Sequence, residues 1–511
     1  MMDVRSGSSL GSFGASRDRR DFLRYMLAGV GGVSLPSILR LRAAAPLETA
    51  ASERSLIFLW QDGGPSHFET FDPKPDSSRE FRGELQAIPT TLPGVQVCQI
   101  LPRLARLAHR FSVIRSIHQP SSGHVSGTHN FITGHDGARV LGRGAEYPDF
   151  CSMTHRARVG TRSTELPEYV ALGNQKVVGL HRGGPAYLGE AHAPFRVEGD
   201  PAHPDFGVRS FRRVAAGANL DARIEVLRSL DAYGRVDLRA LDSSGHMDAL
   251  DKFQKQAIEL LSGSGRAARA FDLSGEKRSV RERYGLTTSG QQTLLARRLV
   301  EAGVGVVAVR FSPDGRGDGD RSGIGWDDHA VHGNIFDVMR RRGPQFDQSV
   351  SALIEDLSER GLDDKVLVVL AGEFGRTPRV SNFRGTPGRE HWGPAGCVLV
   401  YGGGLRMGQV IGATTTNGEV PKERPLKTQD VLATIYHTLG IDTREEFFNA
   451  AGRPIPILST GEPVRELVGY LDPSSSFDLI LRTRDLHAGD ASLQLGDCPR
   501  AHLQVREEQF T

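Results

Sequence analysis

Apolar residues in this chain gather in short, β-branched runs separated by longer polar stretches. Lys365 is followed by five apolar positions, Val366 to Leu370, and then by Ala371, Gly372 and Glu373. A run that short, bounded by a turn, reads as a strand buried on both faces. The same signal marks strands at Ser55 to Trp60, Phe111 to Ile117, Tyr169 to Leu172, Val304 to Phe311 and Cys397 to Tyr401. Elsewhere the period lengthens. Leu101, Leu104, Ala105 and Ala108 share one helical face, as do Phe346, Val350, Leu353, Ile354 and Leu357, with Gly361 as a cap. Val431, Leu432, Ile435, Tyr436 and Leu439 form a last stripe, with Thr428 as its expected N-cap. Residues 221–302 have helical spacing and read as an insertion closed by Gly303. Strands and helices alternate in the later half. That alternation predicts an α/β fold, with a mostly parallel central sheet and helices on both faces.

Four of the predicted strands deliver polar residues at their tips, where open α/β sheets collect their chemistry. Asp62 follows the first strand, inside Gln61-Asp62-Gly63-Gly64, with His67, Glu69 and Asp72 in the same loop. An Asp there presents a metal ligand or simply forms the turn. The next strand exits into a loop with His118, Ser121, Ser122, His124, Ser126, Thr128, His129 and Asn130. A helix and turn are expected from Phe131 to Gly134. After Phe311 a Gly/Asp/Arg-rich loop ends in Trp326, Asp327, Asp328, His329 and His332. Asp328 and His332 share a face if that stretch is helical, and Asp327 and His329 do if it is extended. Glu373 stands past the tip of the Val366 strand, and His391 returns in the following loop. Acidic and imidazole groups converging at one sheet edge suit a divalent ion.

Composition adds a few limits. The chain has 511 residues, 38% apolar and 24% charged, enough for one large α/β domain or two to three ordinary ones. Its 60 glycines suit a loop-rich α/β enzyme more than a bundle. A net charge of +2 gives no argument for nucleic acid. The four cysteines have no CxxC spacing, so neither a zinc-ribbon nor a redox motif is present. The three glycines from Gly402 lack a following Lys-Ser/Thr and are no P-loop. Arg19 and Arg20 precede Phe22 and Leu23, an apolar run from Tyr25 to Leu35, and Ala43 to Ala45. This reads as a twin-arginine signal peptide over residues 1–45, implying the twin-arginine translocation machinery as a partner and a periplasmic or secreted address. The apolar run is too short for a firm transmembrane anchor. Residues 471–511 read as an appended tail.

The combined motifs resemble those of DUF1501, a group of exported bacterial proteins in the alkaline-phosphatase-like superfamily. They are the twin-arginine start, FLWQDGGPSHFETFDPKP, LPGVQVCQILPRLARL, GTHNFITG, LLARRLVEAGVGVV, GWDDH, AGEFGRTPRV and GREHW, spread from about Arg19 to Leu467. The resemblance implies one domain over about 46–470, with divalent metals at the sheet edge. Asp62 matches the superfamily's early strand-tip ligand. Its nucleophile falls within His124 to Thr128, where His124, Ser126 and Thr128 are candidates. Asp328 and His332 fit its Asp-x-x-x-His spacing, whereas the DUF1501 pattern points to Asp327 and His329. Its later Asp-His pair falls on Glu373 and Phe374, and its last histidine on His391. Phe374 cannot bind metal, which departs from the pattern. No cysteine has the x-Pro-x-Arg needed for a formylglycine sulfatase.

The resemblance thus implies an exported metal-dependent hydrolase of phosphate or sulfate esters. Asp62, Asp327, His329, His332, Glu373 and His391 are the candidate ligands of one or two divalent ions (Zn, Mn, Mg or Ca). Arg376 is the candidate brace for an anionic ester substrate, since a planar guanidinium suits bidentate contact. A non-catalytic binding or assembly protein on the same fold is the alternative.

Overall fold

The computed structural model describes residues 51, 53–137, 140–141, 144–159, 166–173, 183–203, 206, 266–313 and 325–469. The expected signal peptide, much of the expected insertion and the 471–511 tail lie outside them. Contacts divide the chain after Val468 into two units, and the second has only Gly469 among the described residues.

The strand at the centre is β1 (Ser55–Trp60), buried along its whole length. The main sheet adds β2 (Ser112–His118), β3 (Tyr169–Leu172), β4 (Phe195–Val197), β5 (Val306–Arg310) and β6 (Val366–Ala371). A two-stranded ribbon follows, β7 (Gly375–Arg376) with β8 (His391–Trp392). Then come β9 (Gly396–Gly402), β10 (Val410–Ile411) and β11 (Leu426–Lys427). The nine-stranded sheet has the order β10-β2-β9-β6-β1-β5-β3-β4, with β11 beside β2. β1 lies parallel to both β5 and β6, with Phe58 level with Ala308 and Val369. Only β9 runs against its neighbours β6 and β2. The sheet is therefore mixed but mostly parallel, as the alternation predicts.

Side chains alternate faces along a strand, and each face has its own core. Ile57, Leu59, Val307, Val309, Val368 and Leu370 pack on one side. Their helical cover is α1 (Pro102–Leu107), α4 (Thr288–Glu301) and α5 (Ile335–Glu359). Leu56, Phe58, Trp60, Val306, Leu367 and Val369 pack on the other side. There α2 (His124–Thr133), α3 (Phe150–Ala157) and α6 (Thr428–Thr438) cover them. Burying each such aliphatic side chain contributes about 1.5–3 kcal/mol relative to exposure. That makes the sheet a firm base for its loops.

Several boundaries differ from expectation. The polar stretch after β2 is not a loop throughout, because α2 begins at His124 and ends at Gly134 in the left-handed region. Thr428 is the first residue of α6 rather than its cap; the Lys427 N–H donates to Asp430 Oδ2 at 2.8 Å. The described part of the insertion, 266–302, is largely helical. Cys98, Cys151 and Cys397 are free. Among the described residues no helix is long and apolar enough to cross a membrane.

Candidate metal centre

The carboxyl ends of β1, β2, β5 and β6 share one edge of the sheet, since the pairing makes these strands run the same way. From that edge come four ligand groups. His124 is the first residue of α2, Asp327 and His329 lie in the segment after β5, and His391 is on β8. One donor atom from each falls within 4.8 Å of all the others.

Asp327 is the hub. Its Oδ1 lies 2.8 Å from His329 Nε2 and 2.9 Å from His391 Nε2. Those two imidazole nitrogens are themselves 2.8 Å apart. His124 Nε2 stands 3.3 Å from Asp327 Oδ2, at ion-pair distance but without hydrogen-bond geometry. Burial works against the charge of Asp327. The facing His124, His329 and His391, with Arg376 behind, overcome it and hold the carboxyl far below its usual range. Burial likewise opposes a charged His124, but Asp327 and Glu373 outweigh it and lift the imidazole to about 9. Burial lowers His391, with Asp327 opposing.

Other groups orient these four. His124 Nδ1–H donates to Glu373 Oε1 at 2.8 Å, and the Gly63 N–H donates to the same oxygen at 2.9 Å. His329 Nδ1–H donates to Glu390. Metal-binding histidines usually have their second nitrogen anchored in this way. Gly63 lets the β1 loop pass beneath Asp327. Its φ is +112°, and a Cβ there would sit 2.6 Å from the Asp327 nitrogen.

The six expected ligands therefore separate. Asp327, His329 and His391 come together, and His124, expected as a catalytic group, joins them. Glu373 is one hydrogen bond away through His124, and its Oε2 is buried without a hydrogen-bond partner among the described residues. Asp62 lies outside the four. Its Oδ2 accepts from Arg310 Nε at 2.9 Å, while its Oδ1 is buried without a hydrogen-bond partner among the described residues. Burial and then the nearby Glu373 raise Asp62 to about 7. His332 is on the exposed rim, its Nδ1 3.1 Å from the Asp327 carbonyl oxygen. Asp328, the alternative to Asp327, points inward to Arg342, which stacks 4.6 Å from the Trp326 ring. The backbone at Asp327 and His329 is not helical, so the helical pairing of Asp328 with His332 does not form.

Three expectations change with the geometry. Arg376 is fully buried, not open to a substrate. Its Nη2 donates to Asp327 Oδ1 at 2.7 Å, to the Trp326 carbonyl at 3.0 Å and to the Gly63 carbonyl. Its Nε donates to the Gly64 carbonyl at 2.7 Å. It clamps the β1 and β5 exit loops together. Ser126 is exposed and paired with Ser121 Oγ at 2.5 Å. Thr128 is 1% exposed, with its hydroxyl buried and without a hydrogen-bond partner among the described residues. Sequence reasoning missed Glu390, Arg310 and Arg342. Glu390 was available inside GREHW, beside the histidine it helps to organise. The ion-pair partners at Arg310 and Arg342 are 248 and 14 positions away, and nothing local marks them.

The donor set fits a divalent cation. Two imidazole nitrogens and a carboxylate oxygen at 2.8–2.9 Å from one another cannot all be served by one shared proton. Three histidines with one aspartate are nitrogen and oxygen ligands of the kind zinc and its neighbours take.

Fold and site together define an α/β protein with a candidate divalent-metal centre at the carboxyl edge of its sheet. The chain belongs to the DUF1501 family, described as a protein of unknown function, whose model matches residues 53–468. No curated protein matches it in sequence. Solved structures similar to it include the phosphonate monoester hydrolase SpPMH from Silicibacter pomeroyi, 11% identical. That match covers 82% of this chain and 77% of the other, with a TM-score of 0.37. The PsFucS1 sulfatase from Pseudoalteromonas sp. is 11% identical over 77% of this chain and 71% of its own, with a TM-score of 0.32. A His 135 Glu mutant of TAB5 alkaline phosphatase with Mg bound is 10% identical over 76% and 98%, with a TM-score of 0.31.

Proposed function

We propose that the protein is an exported, metal-dependent hydrolase of phosphate or sulfate esters. The observation that carries this reading is the convergence of His124, Asp327, His329 and His391 within 4.8 Å. The ester class comes from the resemblance of the strand-tip residues to the alkaline-phosphatase-like pattern. Export rests on the twin-arginine signature at Arg19 and Arg20, which implies the twin-arginine translocation machinery as a partner. Residues 46–470 are the domain in this reading.

The four residues would hold the ion, with Asp62 and Glu373 close by for a second. When bound there, a divalent ion would supply Lewis-acid chemistry, polarising an ester oxygen and lowering the pKa of a neighbouring hydroxyl or water. The chain supplies the rest. Arg376 fixes the Asp327 carboxylate through one oxygen. Glu373 holds the His124 ring through Nδ1 and leaves Nε2 facing the centre.

Turnover of 4-nitrophenyl phosphate and 4-nitrophenyl sulfate, with Zn, Mn, Mg or Ca supplied in turn, tests the reading. The wild type turns over at least one ester with at least one ion, and Asp327→Asn loses at least 100-fold. Metal binding with no turnover of either ester would favour the second reading, a non-catalytic binding protein. Phe374 gives that reading its support. Its ring lies 4.6 Å from that of His391 and 5.4 Å from that of His124, and offers no ligand there.

A further inference from the structure

A cleft of about 520 Å³ is walled by Pro394, Val420, Pro421 and Pro425. His118 and Lys427 also line it. β11 pairs with β2 in parallel, with Lys427 level with His118. Level residues on neighbouring strands stand on the same face. The ammonium and the imidazole are therefore neighbours in the cleft. Neither has an ion-pair partner among the described residues. Asp136, the acid of the wall, accepts from Gln429 Nε2 at 3.0 Å. Burial and then Lys427 lower the His118 pKa, with Asp430 opposing.

The cleft is tied to the candidate centre through the backbone. Gln119 N–H donates to the Gly393 carbonyl at 2.9 Å, and Gly393 N–H donates to Ser122 Oγ at 2.8 Å. Trp392 Nε1 donates to the Glu419 carbonyl at 2.6 Å. Pro394 follows His391 by three residues, which span at most about 11 Å.

We propose that this cleft is a subsite for an organic carboxylate, the acidic substituent on the alcohol half of the ester. Lys427 pairs with the carboxylate, His118 donates to it, and the proline wall covers the carbon body. The link to catalysis rests on the ester-hydrolase reading, but the binding itself needs no metal.

The test is calorimetric titration with glucuronate and with 4-hydroxybenzoate, using glucose as the neutral control. The wild type binds at least one carboxylate and binds glucose at least tenfold more weakly. Lys427→Met and His118→Gln each weaken carboxylate binding at least tenfold. Val420→Trp, at a position 43% exposed, fills the cleft and does the same without disturbing the core. His391→Ala leaves the affinity unchanged. Binding of neither carboxylate, or equal binding by Lys427→Met, would overturn the proposal. So would loss of binding in His391→Ala, which would put the carboxylate on the metal ligands instead. Retained carboxylate binding without turnover of any ester would sink the hydrolase reading and leave the subsite standing.

Discussion

Arg376 shows how much of a site can depend on a residue that never meets the substrate. Its guanidinium is fully buried and joins Asp327 to four backbone carbonyls, those of Gly63, Gly64, Trp326 and Arg389. Removing one partner of such a pair leaves a buried charge uncompensated, at about 3–5 kcal/mol. Arg376→Met is expected to lose that much stability in urea unfolding, and Arg376→Lys to recover little, because an ammonium cannot span the same fork. Gly64 makes a second prediction. Its φ is +82°, and a Cβ would lie 2.4 Å from the Phe374 ring. Gly64→Ala should destabilise by about 1–3 kcal/mol in the same assay. His67 makes a third. Burial lowers its pKa from 6.5 to about 4, so folding favours the neutral ring. Its contribution is full above about pH 6.5 and is lost as pH falls toward about 4. The loss amounts to roughly 3 kcal/mol. Asp62, raised to about 7, slopes the other way. The measure is therefore the difference between wild type and His67→Gln at each pH, which should shrink across that window.

At the scale of elements, the parallel strands were legible because burial on both faces leaves continuous apolar runs. The reversal of β9 was not, since a buried strand has the same composition in either direction. The start of α2 was hidden for another reason. Residues 127–130 are buried, and the partners of His124 come from the segment after β6 and from β8 rather than from the local pattern. Whether Asp327 or Asp328 faced the site was also beyond spacing. Arg342 on α5 decides it by drawing Asp328 inward. That helix begins at Asn334, whose side chain accepts from the Phe336 and Asp337 N–H groups. Asn334→Ala is expected to cost about 1 kcal/mol of stability.

At the scale of the whole molecule, two cores clamp a sheet whose carboxyl edge carries every candidate ligand. The chain brings His124, Asp327, His329 and His391 together from positions up to 267 apart. Elemental analysis of the purified, folded protein tests this most directly, alongside His391→Ala with its circular dichroism checked. The account predicts at least one divalent ion per wild-type chain, and its loss from a variant that remains folded. A wild type that holds no metal after reconstitution, or a His391→Ala protein that holds it as tightly, would contradict the account.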